Sequence, residues 1–247
     1  ILQQALTKKG FTVEELEAAG LIGRTSSGKL FDRFRGRIMF PIRDARGRVV
    51  AFGGRIAPWA ETGNEGKYIN SAETALYEKR LIVYNLDAAK QVLRKGEPCV
   101  VVEGYMDVVM LVQAGIENVV ATSGTAFTEG HVKQLQRYTD TLHFAFDADS
   151  AGMKAAIAAT QAALLAGMNV ATIVLPAGSD PADLVKGDVK KARETLSKTS
   201  SLLSVLLDRL RGADSSKDKS QQLEALIPFV RLVRNPVQQG AMVQEIA

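Results

Sequence analysis

Four short apolar segments alternate with helical segments between Cys99 and Leu175, and this alternation limits the possible folds more than any other feature. The apolar segments are CVVVE, NVVAT, TLHFAF and NVATIVL, which are rich in Val, Ile and Phe. Strands that alternate with helices predict a parallel sheet covered by helices on both faces. We therefore expect an α/β fold in this region.

The flanking regions follow other patterns. Two short helices separated at Gly10 are expected first, with Thr12 as N-cap and Glu15 completing a capping box. RIMFPIRD and RVVAFGGRI then predict an antiparallel hairpin, residues 57–80 an irregular segment and residues 81–95 a helix. The chain after Asp188 is predicted to be mostly helical.

These patterns divide the chain into three expected subdomains, which make it α+β overall. They are a basic mixed α+β subdomain at 1–96, a parallel-sheet subdomain at 97–187 and a C-terminal helical bundle at 188–247.

Composition excludes several classes of protein. With 247 residues, 46% of them hydrophobic, the chain can bury a core and is not expected to be disordered. It has no apolar run long enough for a membrane helix, so no membrane partner is expected. The single cysteine, Cys99, excludes an internal disulfide and a zinc site of several thiolates, which makes the cytoplasm the expected compartment.

The formal net charge of +4 is unevenly distributed. Residues 1–100 carry 17 basic and 11 acidic side chains, residues 101–190 carry 5 and 10, and residues 191–247 carry 9 and 6. A cationic region beside an anionic one suggests that the first handles a polyanion and the second holds metal ions.

Six carboxylates occur where the predicted strands end. Glu103 ends the first strand and Asp107 lies one helical turn later; Asp147 and Asp149 follow the third strand; Asp180 and Asp183 lie in a predicted loop after the fourth. No lysine or arginine lies within the segments 103–107 and 147–149, and Lys154 is the first cation after Asp149. Because open parallel sheets bind ligands at the carboxyl ends of their strands, these acids are expected to converge on one rim.

Such a cluster requires compensation, since neighbouring like charges raise one another's pKa. Oxygen ligands without His or Cys favour Mg²⁺ or Mn²⁺, and such ions suit phosphoryl transfer. Taken singly, the acids are more simply explained as caps: Asp149 or Ser150 for the following helix, and Asp180 in an Asx-turn before Pro181. Taken as a set at one sheet edge, they favour a metal site.

The motifs also resemble a known family. VVVEGYMDVV, FAFDADSAG and GSDPADL resemble the Toprim fold, a metal-binding module of primases, topoisomerases and some nucleases. RFRGRIMFPIRD, GRVVAFGGRI and KYINSAET resemble the N-terminal subdomain of bacterial DnaG-type DNA primases. The resemblance extends over roughly residues 20–190.

The resemblance implies the catalytic core of a primase, which makes short RNA primers on single-stranded DNA from ribonucleoside triphosphates with two or more Mg²⁺ or Mn²⁺ ions. It implies that Glu103 is the central metal ligand or general base, that Asp147 and Asp149 are the catalytic metal-binding pair, and that Asp107 and Asp180 are further ligands. The family commonly has Asp-Pro-Asp where this chain has Asp180-Pro181-Ala182. Either Asp183 replaces the missing ligand or one metal is held more weakly.

The resemblance extends to polar and basic residues that line the family's template groove and nucleotide site. These are Arg33, Arg35, Arg55, Lys67, Tyr68, Asn70 and Lys79. Lysine and arginine suit phosphates, and Tyr68 suits stacking on a base or sugar. The alternative is a solvated hairpin face, which the scarcity of nearby acids disfavours.

The resemblance also implies a zinc-binding domain and a region that interacts with a replicative helicase. Neither is found in this sequence. Because the chain starts at Ile1, we expect a monomeric piece of a longer protein that acts in the bacterial cytoplasm at the replication fork. Two other functions stay open: another Toprim enzyme, such as a nuclease or topoisomerase, or a non-catalytic scaffold that binds single-stranded DNA.

Six further residues carry weaker signals. Ser123 and Thr125 belong to the sequence SGT, whose backbone N–H groups either bind a phosphate or simply form a turn. His131 and His143 are expected to be structural, Cys99 an inert core residue and Trp59 a mobile surface aromatic.

Overall fold

The computed structural model describes residues 1–63, 66–122, 124–147, 149–176, 178–212, 215–232, 240 and 243–244. The elements of the first half are α1 (Leu2–Thr7), α2 (Val13–Ala18), β1 (Ile22–Arg24), β2 (Leu30–Asp32), β3 (Arg37–Arg43), β4 (Val49–Ile56), β5 (Tyr68–Asn70), α3 (Leu86–Leu93), β6 (Cys99–Val102), α4 (Tyr105–Gln113) and β7 (Val119–Ala121). Those of the second half are α5 (Glu129–Leu135), β8 (Thr141–Phe144), α6 (Ser150–Leu165), β9 (Asn169–Ile173), α7 (Pro181–Gly187), α8 (Val189–Ser197), β10 (Thr199–Ser200), α9 (Leu202–Arg211) and α10 (Ser216–Leu232).

The central sheet has the strand order β10-β9-β8-β6-β7. All pairs among β6, β7, β8 and β9 are parallel, which confirms the predicted α/β fold. From β6 the chain passes through α4 to β7 on one side, and then through α5 to β8 on the other side of β6. Ligands of open sheets bind where the strand order reverses in this way, which is here beyond the carboxyl ends of β6 and β8.

A second, antiparallel sheet has the order β3-β4-β5. The predicted hairpin is confirmed, with Ile38 opposite Arg55 and Ile42 opposite Ala51. The prediction of an irregular segment at 57–80 is wrong in part, because β5 pairs with β4 there. The three residues of β5 are too few to show the alternation of apolar and polar side chains that marks a strand. Their hydrogen-bond partners lie in β4, which is distant in sequence. The short pairs β1–β2 and β9–β10 were also not predicted, for the same reason.

The helices of the first half follow the local signals with one exception. Thr12 caps α2, and its capping box with Glu15 is formed as predicted. The predicted helix at 81–95 begins only at Leu86, because Lys79–Leu81 forms a 3₁₀ turn and Asn85 has a left-handed φ of 67°.

The sequence GSDPADL is not wholly a loop, contrary to the prediction. Asp180 is the N-cap of α7, and Pro181 occupies its first turn. Proline fits that position because the first helical N–H has no intrahelical partner. Asp183 consequently lies on a helix.

The C-terminal helices share the core of the central sheet. Leu206, Leu226 and Phe229, from α9 and α10, belong to the same buried cluster as Val101 and Phe144 of β6 and β8. The described residues after Asp188 are largely helical, as predicted, but a separate bundle is not confirmed.

The other sheet face is covered by α4 and α8, whose side chains join a second buried cluster with Val100 and Val102 of β6. Within the described residues, no helix combines the length and apolarity needed to cross a bilayer.

Candidate active site

Glu103 and Asp147 lie where the strand order reverses. Glu103 directly follows β6, and Asp147 comes three residues after the end of β8. The backbone N–H of Asp147 donates a hydrogen bond to Oε1 of Glu103 over 3.2 Å. This bond orients the glutamate and joins the ends of the two neighbouring strands.

Asp107 is held in the first turn of α4 and is only 8% exposed. Its Oδ2 accepts a hydrogen bond from the N–H of Gly104 over 3.0 Å, and its Oδ1 accepts one from the N–H of Ala182 over 3.3 Å. Asp107 therefore joins α4 to α7. Ala182, at which the sequence departs from the family's Asp-Pro-Asp pattern, is itself buried.

Two carboxyl groups of the rim have strongly raised pKa values. Burial, followed by the charges of Asp180 and Asp147, raises the pKa of Asp107 to about 6. Burial, followed by the charges of Glu103 and Asp180, raises the pKa of Asp147 to about 6. The rim therefore carries more negative charge than its surroundings neutralise.

Asp149 and Asp180 both cap helices; the cap was predicted for Asp149, whereas Asp180 was expected in an Asx-turn. Oδ1 of Asp149 accepts the N–H of Gly152 over 2.7 Å, and Oδ1 of Asp180 accepts the N–H of Asp183 over 2.7 Å. The side chain of Ser150, the other predicted cap of α6, lies outside the described part of the chain. Capping uses one oxygen of each carboxylate and is therefore compatible with a further role.

Asp183 differs from the other rim acids. Its Oδ1 lies 2.8 Å from Nζ of Lys186, one turn later on α7, and this hydrogen bond lowers the pKa of Asp183. The local sequence shows acids without neighbouring cations before Lys154, but the tertiary structure also brings Arg55, Lys67 and Lys186 to the same cleft.

The cleft has a volume of about 590 Å³ and lies between the two sheets. One wall carries the acids and the other carries cations and polar groups. Its lining includes Arg55, Lys67, Tyr68, Asn70, Glu103, Tyr105, Asp107, Gly124, Asp147, Asp180, Asp183 and Lys186. Nine of the thirteen predicted site residues therefore line one cavity. Asp149 is not among them, but as the N-cap of α6 it lies two residues after Asp147.

The cationic wall is built on β4 and β5. The guanidinium of Arg55 lies 5.7 Å from the ring centre of Tyr68, and its Nη1 is 3.4 Å from the tyrosine oxygen. Arg55 and Tyr68 are directly opposite each other in the strand register, which explains their contact. Tyr68 is 36% exposed, so part of its ring is available to a ligand.

Three predicted template residues do not line this cleft. Nη2 of Arg33 donates to the backbone oxygen of Asn70 over 3.1 Å, so Arg33 supports the wall from behind. Arg35 lines a separate depression with Lys29 and Asp32. Lys79 lies in the 3₁₀ turn, where its backbone oxygen contacts Nε2 of His131 over 3.0 Å. Template contacts by these three residues stay predictions.

The remaining weaker signals fall away from the acids. His131 is buried and takes part in capping α5 with Thr128, and His143 lies in β8. Cys99 is fully buried, which raises the pKa of its thiol, and Trp59 is 82% exposed. Ser123 lies outside the described residues, while Gly124 of the same SGT turn lines the cleft.

Three residues at this site were not predicted from the sequence. The only sequence signal for Lys186 was its position three residues after Asp183. This signal was weak, because the segment was predicted to be a loop and such a spacing brings side chains together only on a helix. Tyr105 stands between Glu103 and Asp107 in the motif EGYMD, but its role depends on contacts across the fold. A Cβ on Gly152 would lie 2.2 Å from the backbone oxygen of Asp147, so only glycine fits there.

The donor set fits a hard divalent cation in its chemistry, because the rim offers carboxylate oxygens and two of its acids are short of compensating charge. Among the described residues, however, no three His, Cys, Asp or Glu side chains are already gathered to hold a metal ion. Residues that could hold one are Glu103, Asp107, Asp147, Asp149 and Asp180, after rotation of some of their carboxylates.

Comparisons with known proteins agree with the fold and the rim. Residues 100–185, which supply the acids of the rim, match the Toprim-like family. This match defines the class of protein to which the parallel-sheet region belongs. Residues 1–90 match the family described as the DNA primase catalytic core, N-terminal domain.

Individual relatives cover nearly the whole chain. A DNA primase of Staphylococcus aureus is 36% identical over 249 residues, an alignment that covers 98% of this chain and 40% of the relative. The RNA polymerase domain of Mycobacterium tuberculosis primase DnaG superposes with a TM-score of 0.83 at 34% identity, covering 99% of this chain and 80% of that one. A DnaG primase catalytic domain bound to ssDNA has a TM-score of 0.77 at 35% identity, covering 99% of this chain and 81% of that one.

The chain belongs to the DnaG-type DNA primase family. It spans about 40% of the length of the curated relative from Staphylococcus aureus. Toprim primases depend in general on metal ions.

Proposed function

We propose that this chain is a primase catalytic core that makes short RNA primers from ribonucleoside triphosphates on a single-stranded DNA template. The observation that carries the proposal is the single cleft in which the acids of the parallel sheet face the cations and Tyr68 of the antiparallel sheet. Nucleotidyl transfer needs both, because it joins polyanionic substrates at a centre where negative charge accumulates.

The cationic wall would hold the nucleic acid and the triphosphate. Arg55 and Lys67 supply positive charge for phosphates, and the exposed part of Tyr68 supplies a surface for stacking. The bound DNA in the related catalytic domain supports this assignment.

The acidic wall would hold Mg²⁺ or Mn²⁺, two or more ions, through Glu103, Asp107, Asp147, Asp149 and Asp180. Such ions neutralise phosphate charge and align the attacking hydroxyl with the α-phosphate. Glu103 is the central acid, because the N–H of Asp147 already fixes its carboxylate. Asp183 is left out of this set, because its carboxylate is paired with Lys186.

Primer synthesis by a Glu103→Gln variant tests the proposal. The assay is incorporation of ribonucleotides on single-stranded DNA, with Mg²⁺ and Mn²⁺ titrated separately. We expect a loss of at least about 100-fold in synthesis, the scale of removing a catalytic acid or base, with DNA affinity unchanged within about twofold. Glu117→Gln is the matched control, since Glu117 lines a depression at the opposite end of the sheet.

Each alternative function predicts a different result. Synthesis that persists in Glu103→Gln would refute the role of Glu103. Cleavage of nicked or supercoiled DNA without incorporation would indicate a nuclease or topoisomerase. DNA binding with neither activity, in the wild-type chain and with either metal, would indicate a scaffold.

The proposal extends to the setting of the reaction. We infer that the chain acts in the bacterial cytoplasm, as a monomer, and cooperates with a replicative helicase and a zinc-binding domain through segments outside the 247 residues. Family membership supports these partners. Analytical ultracentrifugation of this chain would contradict the monomer if it sedimented as a stable dimer at micromolar concentration.

A further inference from the structure

Trp59 is the most exposed aromatic residue in the described part of the chain, and it is the only tryptophan in the sequence. It lies in the loop of residues 57–67, which joins β4 to β5, and is 82% exposed. Contact between so large an apolar ring and water is unfavourable. An exposed ring next to a candidate binding site is therefore a candidate contact for a ligand.

The backbone that carries Trp59 is anchored to the turn that precedes β3. Pro58–Ala60 forms a 3₁₀ turn, in which the N–H of Ala60 donates to the oxygen of Ala57 over 2.8 Å. Ala57 is fully buried, and its N–H donates to the oxygen of Gly36 over 2.9 Å. A Cβ on Gly36 would lie 2.6 Å from Cβ of Ala60, so the loop and the turn are in close contact. The exposed ring therefore extends from an anchored backbone.

Cations surround the base of this loop. The N–H of Ile56, the last residue of β4, donates to the oxygen of Lys67 over 3.0 Å, which closes the loop. Arg55 precedes Ile56 in the chain, and Arg35 precedes Gly36, the residue that anchors the loop from the other side. Each of the three cations thus lies within one residue of a backbone hydrogen bond that holds the loop.

Trp59 is close to the cationic wall of the cleft. It lies four residues after Arg55, and four extended residues span at most about 14 Å. This distance corresponds to about four nucleotides at the 3.4 Å spacing of stacked bases. Arg55 is flanked in the β-ladder by Ile38 and Tyr68, which are 43% and 36% exposed. A strand whose phosphates contact Arg55 and Lys67 therefore brings one of its next few bases near the ring.

The charge of the loop itself does not favour DNA. Residues 57–67 include two acids, Glu61 and Glu65, and one cation, Lys67. An attraction between this loop and DNA must therefore come mainly from the tryptophan ring. Every base has a flat aromatic face that can stack on such a ring, and stacking does not release counterions as a phosphate contact does.

We propose that Trp59 is a stacking platform for one base of the single-stranded DNA template, just outside the cleft. Arg35, Arg55 and Lys67, at the base of the loop, contact the phosphates of the same strand. The inference deepens the proposed function and rests on it for the identity of the ligand. Trp59 is not among the described residues that line the cleft, so its role is in DNA binding and not in the chemistry.

The fluorescence of the wild-type chain tests the proposal directly, because its only tryptophan is Trp59. We titrate the chain with unlabelled oligothymidylate, without nucleotides. We expect the tryptophan emission to be quenched on binding and the ring to become less accessible to acrylamide. A duplex of the same length should leave the emission unchanged, because its bases are already stacked on one another. Unchanged emission and accessibility at saturating oligothymidylate, or equal quenching by the duplex, would overturn the proposal.

Two substitutions separate base stacking from other apolar contacts. We measure the Kd of fluorescein-labelled oligothymidylate by anisotropy at about 50 and about 200 mM salt. Trp59→Leu should raise the Kd at least about fivefold, the lower end of what one stacked base contributes, and by the same factor at both salt concentrations. Trp59→Phe keeps an aromatic ring and should raise the Kd less.

Leu165→Ala is the matched control for loss of an exposed apolar side chain. Leu165 is 66% exposed and is the last residue of α6, more than about 20 Å from the start of that helix at the rim. The Kd should not change in this variant. Wild-type affinity in Trp59→Leu, equal affinities of Trp59→Leu and Trp59→Phe, or a Trp59→Leu effect that disappears at the higher salt concentration would each overturn the proposal.

The same measurements separate this proposal from the proposed function. If wild type binds oligothymidylate with quenching but makes no primers, the proposed function fails and the role of Trp59 stands. If wild type makes primers while its tryptophan emission does not respond to the template, the role of Trp59 fails and the proposed function stands. Thermal unfolding checks that both variants are folded, which we expect because the replaced ring is exposed.

Discussion

Asp107 and Asp183 lie on neighbouring helices beside the same cleft, yet their pKa values shift in opposite directions. Burial and the nearby carboxylates raise the pKa of Asp107, whereas the hydrogen bond from Lys186 lowers the pKa of Asp183. The residue type is the same, and the difference comes from what surrounds each carboxyl group. Both residues were predicted to be rim acids because they lie near strand ends in the sequence. That position gives no information about the different surroundings of the two carboxyl groups.

Asp44 provides a residue-scale prediction outside the cleft. Its carboxylate accepts the N–H groups of Arg46 and Arg48 over 2.9 and 3.0 Å and pairs with the Arg48 side chain, which closes the β3–β4 turn. Burial acts to raise its pKa, but the bonds from Arg48 and Arg46 outweigh burial and lower it. Asp44→Ala should therefore lower the free energy of unfolding by about 1–2 kcal/mol at pH 7.

The pH dependence checks this assignment. Because the folded-state pKa is depressed, the stabilisation by Asp44 is present above the unfolded-state pKa of 3.8 and is lost as the pH falls through the folded-state value. Urea unfolding at pH 7 and at successively lower pH should show the difference between variant and wild type shrinking below pH 3.8. Asp208→Ala, which removes an exposed pair with Arg211, should cost at most about 0.5 kcal/mol. A difference that does not change with pH would contradict the role of the carboxylate charge.

At the scale of elements, the start of α6 shows how a helix is fitted to the site. Asp149 caps the helix, and Gly152 in its first turn lies against the backbone of Asp147. The glycine allows the helix to begin immediately beside the rim acid. The motif FDADSAG therefore contains a packing requirement as well as two carboxylates.

Gly152→Ala should displace the start of α6 from Asp147. The added Cβ would lie 2.2 Å from a backbone oxygen, which cannot move aside as a flexible side chain can. We expect a loss of about 1–3 kcal/mol in the free energy of unfolding, typical of overpacking, and at least a tenfold loss of primer synthesis. Gly187→Ala is the control, since a Cβ there has nothing within 4 Å. Equal behaviour of the two variants would show that the close contact is unimportant.

The elements that could be predicted are those whose signal is local. The buried strands β6, β7, β8 and β9 are apolar runs, and the α2 capping box is contained within four residues. The strands β5 and β10 could not be predicted, because two or three residues show no period and their hydrogen bonds come from another strand.

At the scale of the whole molecule, the cleft exists because two sheets with different charge are packed together. Arg55 of β4 and Lys67, just before β5, come from the basic first 100 residues, and the rim acids come from the acidic region that follows. Residues 191–247 contribute α9 and α10 to the core of the central sheet. The charge division seen along the chain thus becomes two walls of one cavity.

Lys67→Gln tests the cationic wall through the salt dependence of DNA binding. Each phosphate contact on a single strand contributes about 0.7 to the slope of log K against log salt concentration. We expect the variant to lower this slope by about 0.7, measured by anisotropy of labelled oligothymidylate between 50 and 200 mM salt, roughly the range over which such contacts weaken. Lys198→Gln is the control, because Lys198 follows Ser197, which lines a depression at the other end of the sheet. An unchanged slope for Lys67→Gln would show that Lys67 does not contact a DNA phosphate.

The sequence by itself determined the parallel sheet, the hairpin and the placement of Glu103, Asp147 and Asp180 at one edge. These follow from local periodicity and from a topological rule, since parallel strands end on the same side of a sheet. The motifs also sufficed to identify the family.

Only the tertiary structure decided which groups face those acids. The pairing of Asp183 with Lys186, the approach of Arg55 and Lys67, and the hydrogen bond from Tyr105 to Asn70 depend on how separate elements pack. The raised pKa values of Asp107 and Asp147 depend on burial, which is a property of the assembled fold. No short window of sequence encodes long-range packing, so these features arise only when the separate elements come together in the fold.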